Sequence, residues 1–303
     1  MSERQLSVVN HDRDAAGLTY VYPVVSRRAG GVSVGINLNP NNACNWRCVY
    51  CQVPNLTRGN GPQLDLGLLE RELNGLLEDI QHGDFMQRRV PEGARALKDI
   101  ALSGNGEPTT SPQFAEVVAL LERVLTERGL RGELPCTLIT NGSMANKPHV
   151  LQALERFATF GGVVWFKLDR VTREGMQAVN GGTGEGARQV ERLRAVSAVC
   201  PTWIQTCVFG QQPIADTEGA PELAATNERG PSDAELSALL DVFGELAQQK
   251  LRLPLKLNGV LLYGLARPSE QPEAARLVAL PAERMRDIAA RIEAVGLPVQ
   301  LSV

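Results

Sequence analysis

The sequence predicts an α/β fold in which a mostly parallel sheet is covered by helices, and three observations predict it. Short apolar, β-branched segments alternate with segments of helical period about six times along the 303 residues. The strand segments are largely apolar, as strands buried on both faces are. Helix start signals fall where the periodicity asks for them: Ser111 with Pro112 just inside, Asn146 before Lys147, and Ser232 followed by Glu235 as a capping box.

The elements follow in order. Val32–Leu38 is the first strand, and Leu66–Ile80, with Leu69, Leu73, Leu76 and Leu77 at helical spacing, is the first helix. Asp99–Ser103 leads to a helix over Pro112–Glu127, and Cys136–Thr140 to one over Lys147–Phe157. Val163–Leu168 precedes Ala187–Ala198, Thr202–Val208 precedes Asp233–Gln249, and Leu255–Leu262 precedes Pro281–Ala294. A weaker strand at Pro298–Ser302 ends the chain. Such a repeat is either doubly wound or closed towards a barrel, and six units fall short of the eight of a complete barrel. Residues 1–30 read as an N-terminal extension and 31–303 as one domain. Two long loops rich in Gly, Pro and polar residues, Gln52–Asp65 and Gly210–Pro231, have the character of lids or binding loops.

Composition narrows the function. With 43% hydrophobic residues, 21% charged residues and a formal net charge of -3, the chain has no global basic footprint for nucleic acid, so tRNA is a partner the composition does not favour. Apolar runs stay short of the roughly 18 residues a membrane span needs, and Met1–Gly17 has no signal-peptide pattern, which points to the cytoplasm. Six cysteines are too few for a disulfide scaffold at this length, so their spacing matters more than their number.

In β/α folds chemistry sits at the C-terminal ends of the strands. The loop after the first strand carries Cys44-Asn45-Trp46-Arg47-Cys48-Val49-Tyr50-Cys51, three thiols in a C-x3-C-x2-C pattern. Structural zinc sites use four protein ligands, often as two separated pairs, and Cys136, Cys200 and Cys207 form no second pair; they read as small buried hydrophobes. An iron–sulfur cube on three cysteines leaves one iron open to a small molecule. The second strand ends in Gly104-Asn105-Gly106-Glu107-Pro108, the third in Asn141-Gly142-Ser143 and the fourth in Lys167-Leu168-Asp169. The plain reading of these is a turn, a turn and a strand-end ion pair.

Taken together these residues resemble the radical S-adenosylmethionine superfamily, whose signature is C-x3-C-x-φ-C with φ aromatic; Tyr50 stands at φ. The resemblance implies a partial (β/α)6 TIM-like barrel and a [4Fe–4S] cluster on Cys44, Cys48 and Cys51. It places S-adenosylmethionine against Tyr50 and against Gly104, Asn105, Gly106 and Glu107, which resemble the GGEP motif with Asn105 for its second Gly. Asn141, Lys167 and Asp169 lie where relatives contact the carboxylate and ribose of that cofactor. Tyr22-Pro23-Val24-Val25-Ser26-Arg27-Arg28, Gly35-Ile36-Asn37 and Leu261–Pro268 resemble the wybutosine-synthesis subgroup of tRNA-modifying radical enzymes.

The implied chemistry is reductive cleavage of S-adenosylmethionine to a 5′-deoxyadenosyl radical that takes hydrogen from an unidentified substrate. It needs a reducing partner of flavodoxin or ferredoxin type. Gln205, Tyr263 and Arg267, at or after strand ends, are the candidate substrate residues, Arg267 as a bidentate grip on carboxylate or phosphate. A tRNA-modifying enzyme of the wybutosine kind and a zinc-stabilised binding module without turnover are the alternatives.

Overall fold

The computed structural model describes residues 5–6, 17–26, 30–182, 186–212 and 230–303. Most of the loop Gly210–Pro231 and the Arg27-Arg28 pair therefore lie outside the described residues. The chain divides into two compact units: residues 1–45, 57–140 and 146–164 in the first, and 46–56, 141–145 and 165–303 in the second.

In the first unit, strands β1 (Val21–Ser26), β2 (Gly31–Ile36), β3 (Leu97–Leu102) and β4 (Cys136–Thr140) lie side by side in that order. β2, β3 and β4 are parallel; β1 is antiparallel to β2, with Val21 opposite Ile36. β2 is buried along its whole length because it has a neighbour on each edge. Helices α1 (Leu66–Gln81), α2 (Phe85–Arg89), α3 (Phe114–Glu127) and α4 (Pro148–Ala158) connect these strands. α1 buries Leu69, Leu73 and Leu77, and α3 buries Val117, Leu121 and Val124, one apolar stripe on each.

Strand β5 (Gly162–Lys167) begins in the first unit and ends in the second. There β6 (Thr202–Cys207), β7 (Leu257–Tyr263) and β8 (Val299–Ser302) follow one another in parallel, with α5 (Arg173–Asn180), α6 (Gly186–Val199), α7 (Asp233–Lys250) and α8 (Ala282–Ala294) between or beside them. Within each unit every parallel strand lies next to its predecessor. That progression is singly wound, without the reversal of strand order that a doubly wound sheet requires.

The structure corrects three local expectations. α3 begins at Phe114 with Gln113 as its N-cap, because Pro108–Thr110 forms a separate 3₁₀ turn and Ser111 closes it, its N–H reaching Pro108 O at 3.1 Å. α4 is preceded by Lys147 rather than capped by Asn146, and Pro148 opens it, where its missing N–H is harmless. The capping box of Ser232 and Glu235 forms as read, with both reciprocal bonds present.

The third correction is β1, which lies inside the stretch read as an extension. Pro23 within Val21–Ser26 argues against a strand, yet proline is tolerated at a sheet edge, where one side needs no donor. Tyr22 crosses Gly35 on β2, where any Cβ would overlap the phenol ring, and its hydroxyl meets Ser103 Oγ at 2.9 Å. The buried carboxylate of Glu72 on α1 accepts the backbone N–H groups of Thr19 and Tyr20 at 2.8 Å and of Val21 at 3.2 Å. Glu72→Ala strands those donors and is expected to cost about 2–4 kcal/mol. Amide exchange at residues 19–21 should then accelerate more than elsewhere; uniform exchange would show that β1 does not depend on this anchor.

Candidate active site

The cysteine loop is divided between the two units. Cys44 belongs to the first, in the two-residue strand Ala43–Cys44 that pairs in parallel with Thr57–Arg58, and its carbonyl accepts Gly59 N at 3.1 Å. Cys48 and Cys51 belong to the second, in a tight turn where Cys51 N donates to Cys48 O at 3.0 Å. None of the three forms a disulfide among the described residues, and all are half-buried. Cys136, Cys200 and Cys207 are buried and form no disulfide among the described residues, as small hydrophobes should, and burial pushes the first two thiols up to about 12.

In the second unit the loop is gripped from two sides. The last turn of α5 takes Arg47 N on Asn180 O at 3.0 Å and Val49 N on Val179 O at 2.9 Å. These are helix-end carbonyls that lack partners within the helix. On the other side Ser269 Oγ donates to Val49 O at 2.7 Å, and Gln271 Nε2 to Val53 O at 3.0 Å and Cys51 O at 3.3 Å. An ion pair at 2.7 Å joins Arg47 to Glu273.

Asp169, 1% exposed, is the hub of the site. Its Oδ2 accepts Tyr50 Oη at 2.5 Å and Asn180 Nδ2 at 2.7 Å, and its Oδ1 accepts Cys207 N at 2.8 Å. Asn180 Nδ2 also faces Cys48 Sγ at 3.3 Å. Burial, then the Asp169 carboxylate, pushes the Cys48 thiol up to about 12 against the opposing pull of Lys167 and the Asn180 donor. The same two causes raise Tyr50 well above the usual phenol range.

Lys167 Nζ donates to Tyr263 Oη at 3.0 Å and lies 5.3 Å from the centre of the Tyr50 ring. Burial by itself would lower Lys167, but Tyr263, Asp169 and Cys48 outweigh it and raise it. Tyr263 is the register partner of Cys207, and Leu261 that of Gln205. Gln205 therefore shares the face of Tyr263 two residues along. Only 5% exposed, it carries an Oε1 with no hydrogen-bond partner among the described residues. Residues read as cofactor contacts, Tyr50, Lys167 and Asp169, thus stand on one face with substrate candidates Tyr263 and Gln205. Arg267 lies in the loop beyond β7 that continues into Ser269.

Asn141 is buried in an Asx turn, its Oδ1 accepting Ser143 N at 2.9 Å and its carbonyl accepting Gln189 Nε2 at 2.5 Å.

The Gly104–Glu107 segment belongs to the first unit. Its left-handed backbone position is Gly104, at φ 153°, whereas Asn105 has a negative φ and costs nothing in place of glycine. Asn105 N donates to Asn37 Oδ1 at 3.0 Å and its Nδ2 to Asn42 Oδ1 at 2.6 Å. Glu107 is buried, with Oε1 accepting Thr109 N, Thr109 Oγ1 and Thr140 Oγ1 at 3.1, 2.5 and 2.6 Å. A Cβ on Gly104 would overlap the Asn37 carboxamide that holds the turn, besides straining its backbone. Gly104→Ala is accordingly expected to destabilise the protein by about 3 kcal/mol or more. Chemical denaturation measures this, and a loss below about 1 kcal/mol would show that the turn adapts.

The residue types present fit an iron–sulfur cluster: three half-buried thiols within eight residues of sequence, none in a disulfide among the described residues, with Cys48 facing a carboxamide N–H. Among the described residues no group of three or more His, Cys, Asp or Glu gathers as a single metal ion requires. Thiolates bonded to separate irons of a cube need not crowd one point as zinc ligands do. Sequence reasoning missed Asn180, Ser269, Gln271 and Asn37. Asn180 was discoverable from Thr172 ahead of Glu174 and from Asn180-Gly181-Gly182, the start and stop signals of α5.

The chain is similar to known proteins in sequence and in fold. The model of the radical SAM superfamily matches residues 38–224. A UPF0026 protein of Helicobacter pylori is 26% identical over 159 residues, which cover 52% of this chain and 44% of that protein. Streptococcus suis SuiB bound to S-adenosylmethionine superposes with a TM-score of 0.54 at 11% identity, covering 91% of this chain and 52% of SuiB. TYW1 with a lysine-pyruvate adduct bound gives 0.53 at 15% identity, covering 88% and 74%. This chain spans about half the length of the first two of these relatives. The solved structures share the fold, a partial barrel of parallel strands and outer helices. Members of the matched superfamily use a [4Fe–4S] cluster and S-adenosylmethionine, with a reductant and a substrate. The matched region runs from the end of the first parallel strand through the cysteine loop, the Gly104–Glu107 turn and the Asp169 hub, and by it this chain belongs to the radical SAM superfamily.

Proposed function

We propose that this chain cleaves S-adenosylmethionine to start radical chemistry on a separate substrate, working in the cytoplasm with a flavodoxin- or ferredoxin-type donor. When bound and reduced, a [4Fe–4S] cluster supplies the electron that splits the sulfonium into methionine and a 5′-deoxyadenosyl radical. The observation that carries the reading is the double-sided grip on the cysteine loop, with Tyr50 bonded to Asp169 and Cys48 facing Asn180, which is bonded to the same carboxylate.

The chain's own residues then divide the work. Cys44, Cys48 and Cys51 hold the cluster, and the Gly104–Glu107 turn, made rigid by Asn37 and by the buried Glu107 bonds, offers backbone groups to the methionine moiety. Tyr50, fixed by Asp169, presents its ring face beside the Lys167 ammonium. Lys167 and Tyr263 form a cationic, hydrogen-bonding pair on the face that Gln205 shares, a setting suited to a carboxylate or phosphate. Arg267 is a candidate second grip on the substrate.

The test is anaerobic reconstitution with iron and sulfide, reduction with dithionite, and assay for 5′-deoxyadenosine beside Cys48→Ala. Formation in the parent alone supports the reading. A parent that binds zinc and forms no 5′-deoxyadenosine with iron and sulfide supplied would sink it in favour of a metal-stabilised binding module.

A further inference from the structure

Asn180 is 1% exposed and closes α5, followed by left-handed Gly181 at φ 58°. Its carboxamide could be drawn with oxygen and nitrogen exchanged, but the neighbours settle the orientation. A carboxylate oxygen only accepts, and Asp169 Oδ2 lies at 2.7 Å, so the atom facing it is nitrogen. The same nitrogen lies 3.3 Å from Cys48 Sγ. A primary amide has two N–H bonds: one goes to Asp169 and the other points at the sulfur.

This arrangement is held independently of the sulfur. The backbone of Asn180 accepts Arg47 N and that of Val179 accepts Val49 N, so the residues on either side of Cys48 are pinned to the helix end. Tyr50 shares the same carboxylate oxygen.

We propose that Asn180 is a positioning residue whose N–H···S bond to Cys48 sets the reduction potential of the cluster the three cysteines hold. The inference rests on the proposed function. Hydrogen bonds to ligand sulfurs are among the determinants of iron–sulfur potentials. A donor stabilises the more negative reduced state, so Asn180 raises the potential and makes a low-potential cluster reducible by a biological donor.

The experiment is a redox titration followed by electron paramagnetic resonance on the reconstituted parent, Asn180→Leu, Asn180→Ala and Tyr50→Phe. At the parent's midpoint, both Asn180 variants are expected to hold about tenfold less reduced cluster relative to oxidised, which is a midpoint lower by about 59 mV for a one-electron couple. Tyr50→Phe also removes a donor from Asp169 Oδ2 but leaves Cys48 untouched, so it should shift far less. A Tyr50→Phe shift as large as that of the Asn180 variants overturns the proposal, because the Asp169 charge would then be the cause. Unchanged midpoints in the Asn180 variants overturn it too, as does failure of both to take up iron, which would make Asn180 a residue of loop assembly. A parent that takes up no cluster refutes the functional reading itself, a result separate from all of these.

Discussion

Cys48→Ala is expected to lower 5′-deoxyadenosine formation by about 100-fold or more, which is at least about 2.7 kcal/mol on the barrier, while leaving the fold intact. The asymmetry follows from where the loop gets its structure. Its backbone is tied through Arg47 and Val49 to α5 and through Val49, Cys51 and Val53 to Ser269 and Gln271, none of which uses the Cys48 side chain. Removing one half-buried sulfur costs on the order of 1 kcal/mol of packing. The iron content of the reconstituted variant should fall below that of the parent, and its circular dichroism should match. A variant that keeps four irons and full 5′-deoxyadenosine formation would remove Cys48 from the ligand set.

Asp169→Ala is expected to destabilise the protein itself, by about 3–5 kcal/mol. Three donors lose their acceptor at once: the Tyr50 hydroxyl, the Asn180 carboxamide and the Cys207 N–H, all in a buried setting. Each unsatisfied buried group costs about 1–3 kcal/mol, and relaxation recovers part of the sum. Lys167 also loses a compensating negative charge. Asp169→Asn should cost less, because its carbonyl oxygen can still accept from Cys207 N while its amide meets the Asn180 donor head-on. Urea denaturation of the two variants separates these cases; equal and small losses would show that the site repacks around the missing carboxylate.

Asp169 has structural bonds besides the cofactor contact that the resemblance implies for it. Its position at the end of the fourth parallel strand was legible from the β/α pattern, and with it the presence of a carboxylate at the mouth of the site. Its partners were not. Tyr50 is 119 residues away and Cys207 is 38 away, and no local periodicity encodes bonds of that separation. Both carboxylate oxygens accept bonds from the protein's own groups. Lys167 and Asp169 were read together because strand spacing reports the end of a strand, not which way its hydrogen bonds run.

Most strands and helices could be read because their cause is local. The apolar stripes of Leu69, Leu73 and Leu77 and of Val117, Leu121 and Val124 state a helix and its buried face without reference to anything distant. β1 escaped because Pro23 is a local objection that only the edge position overrules, and α5 because an eight-residue helix offers little more than two turns of pattern. The C-x3-C-x2-C spacing with Tyr50, together with Gly104–Glu107, carried the resemblance to the radical SAM superfamily, and the chemistry came with that resemblance because thiol ligation demands particular residue types at particular intervals. What only the tertiary structure decided is how those residues are supported. Asn180, Asp169, Ser269 and Gln271 come to Cys48, Tyr50 and Cys51 from strand ends, a helix end and a late loop, and a buried polar group is satisfied by whatever the fold places beside it.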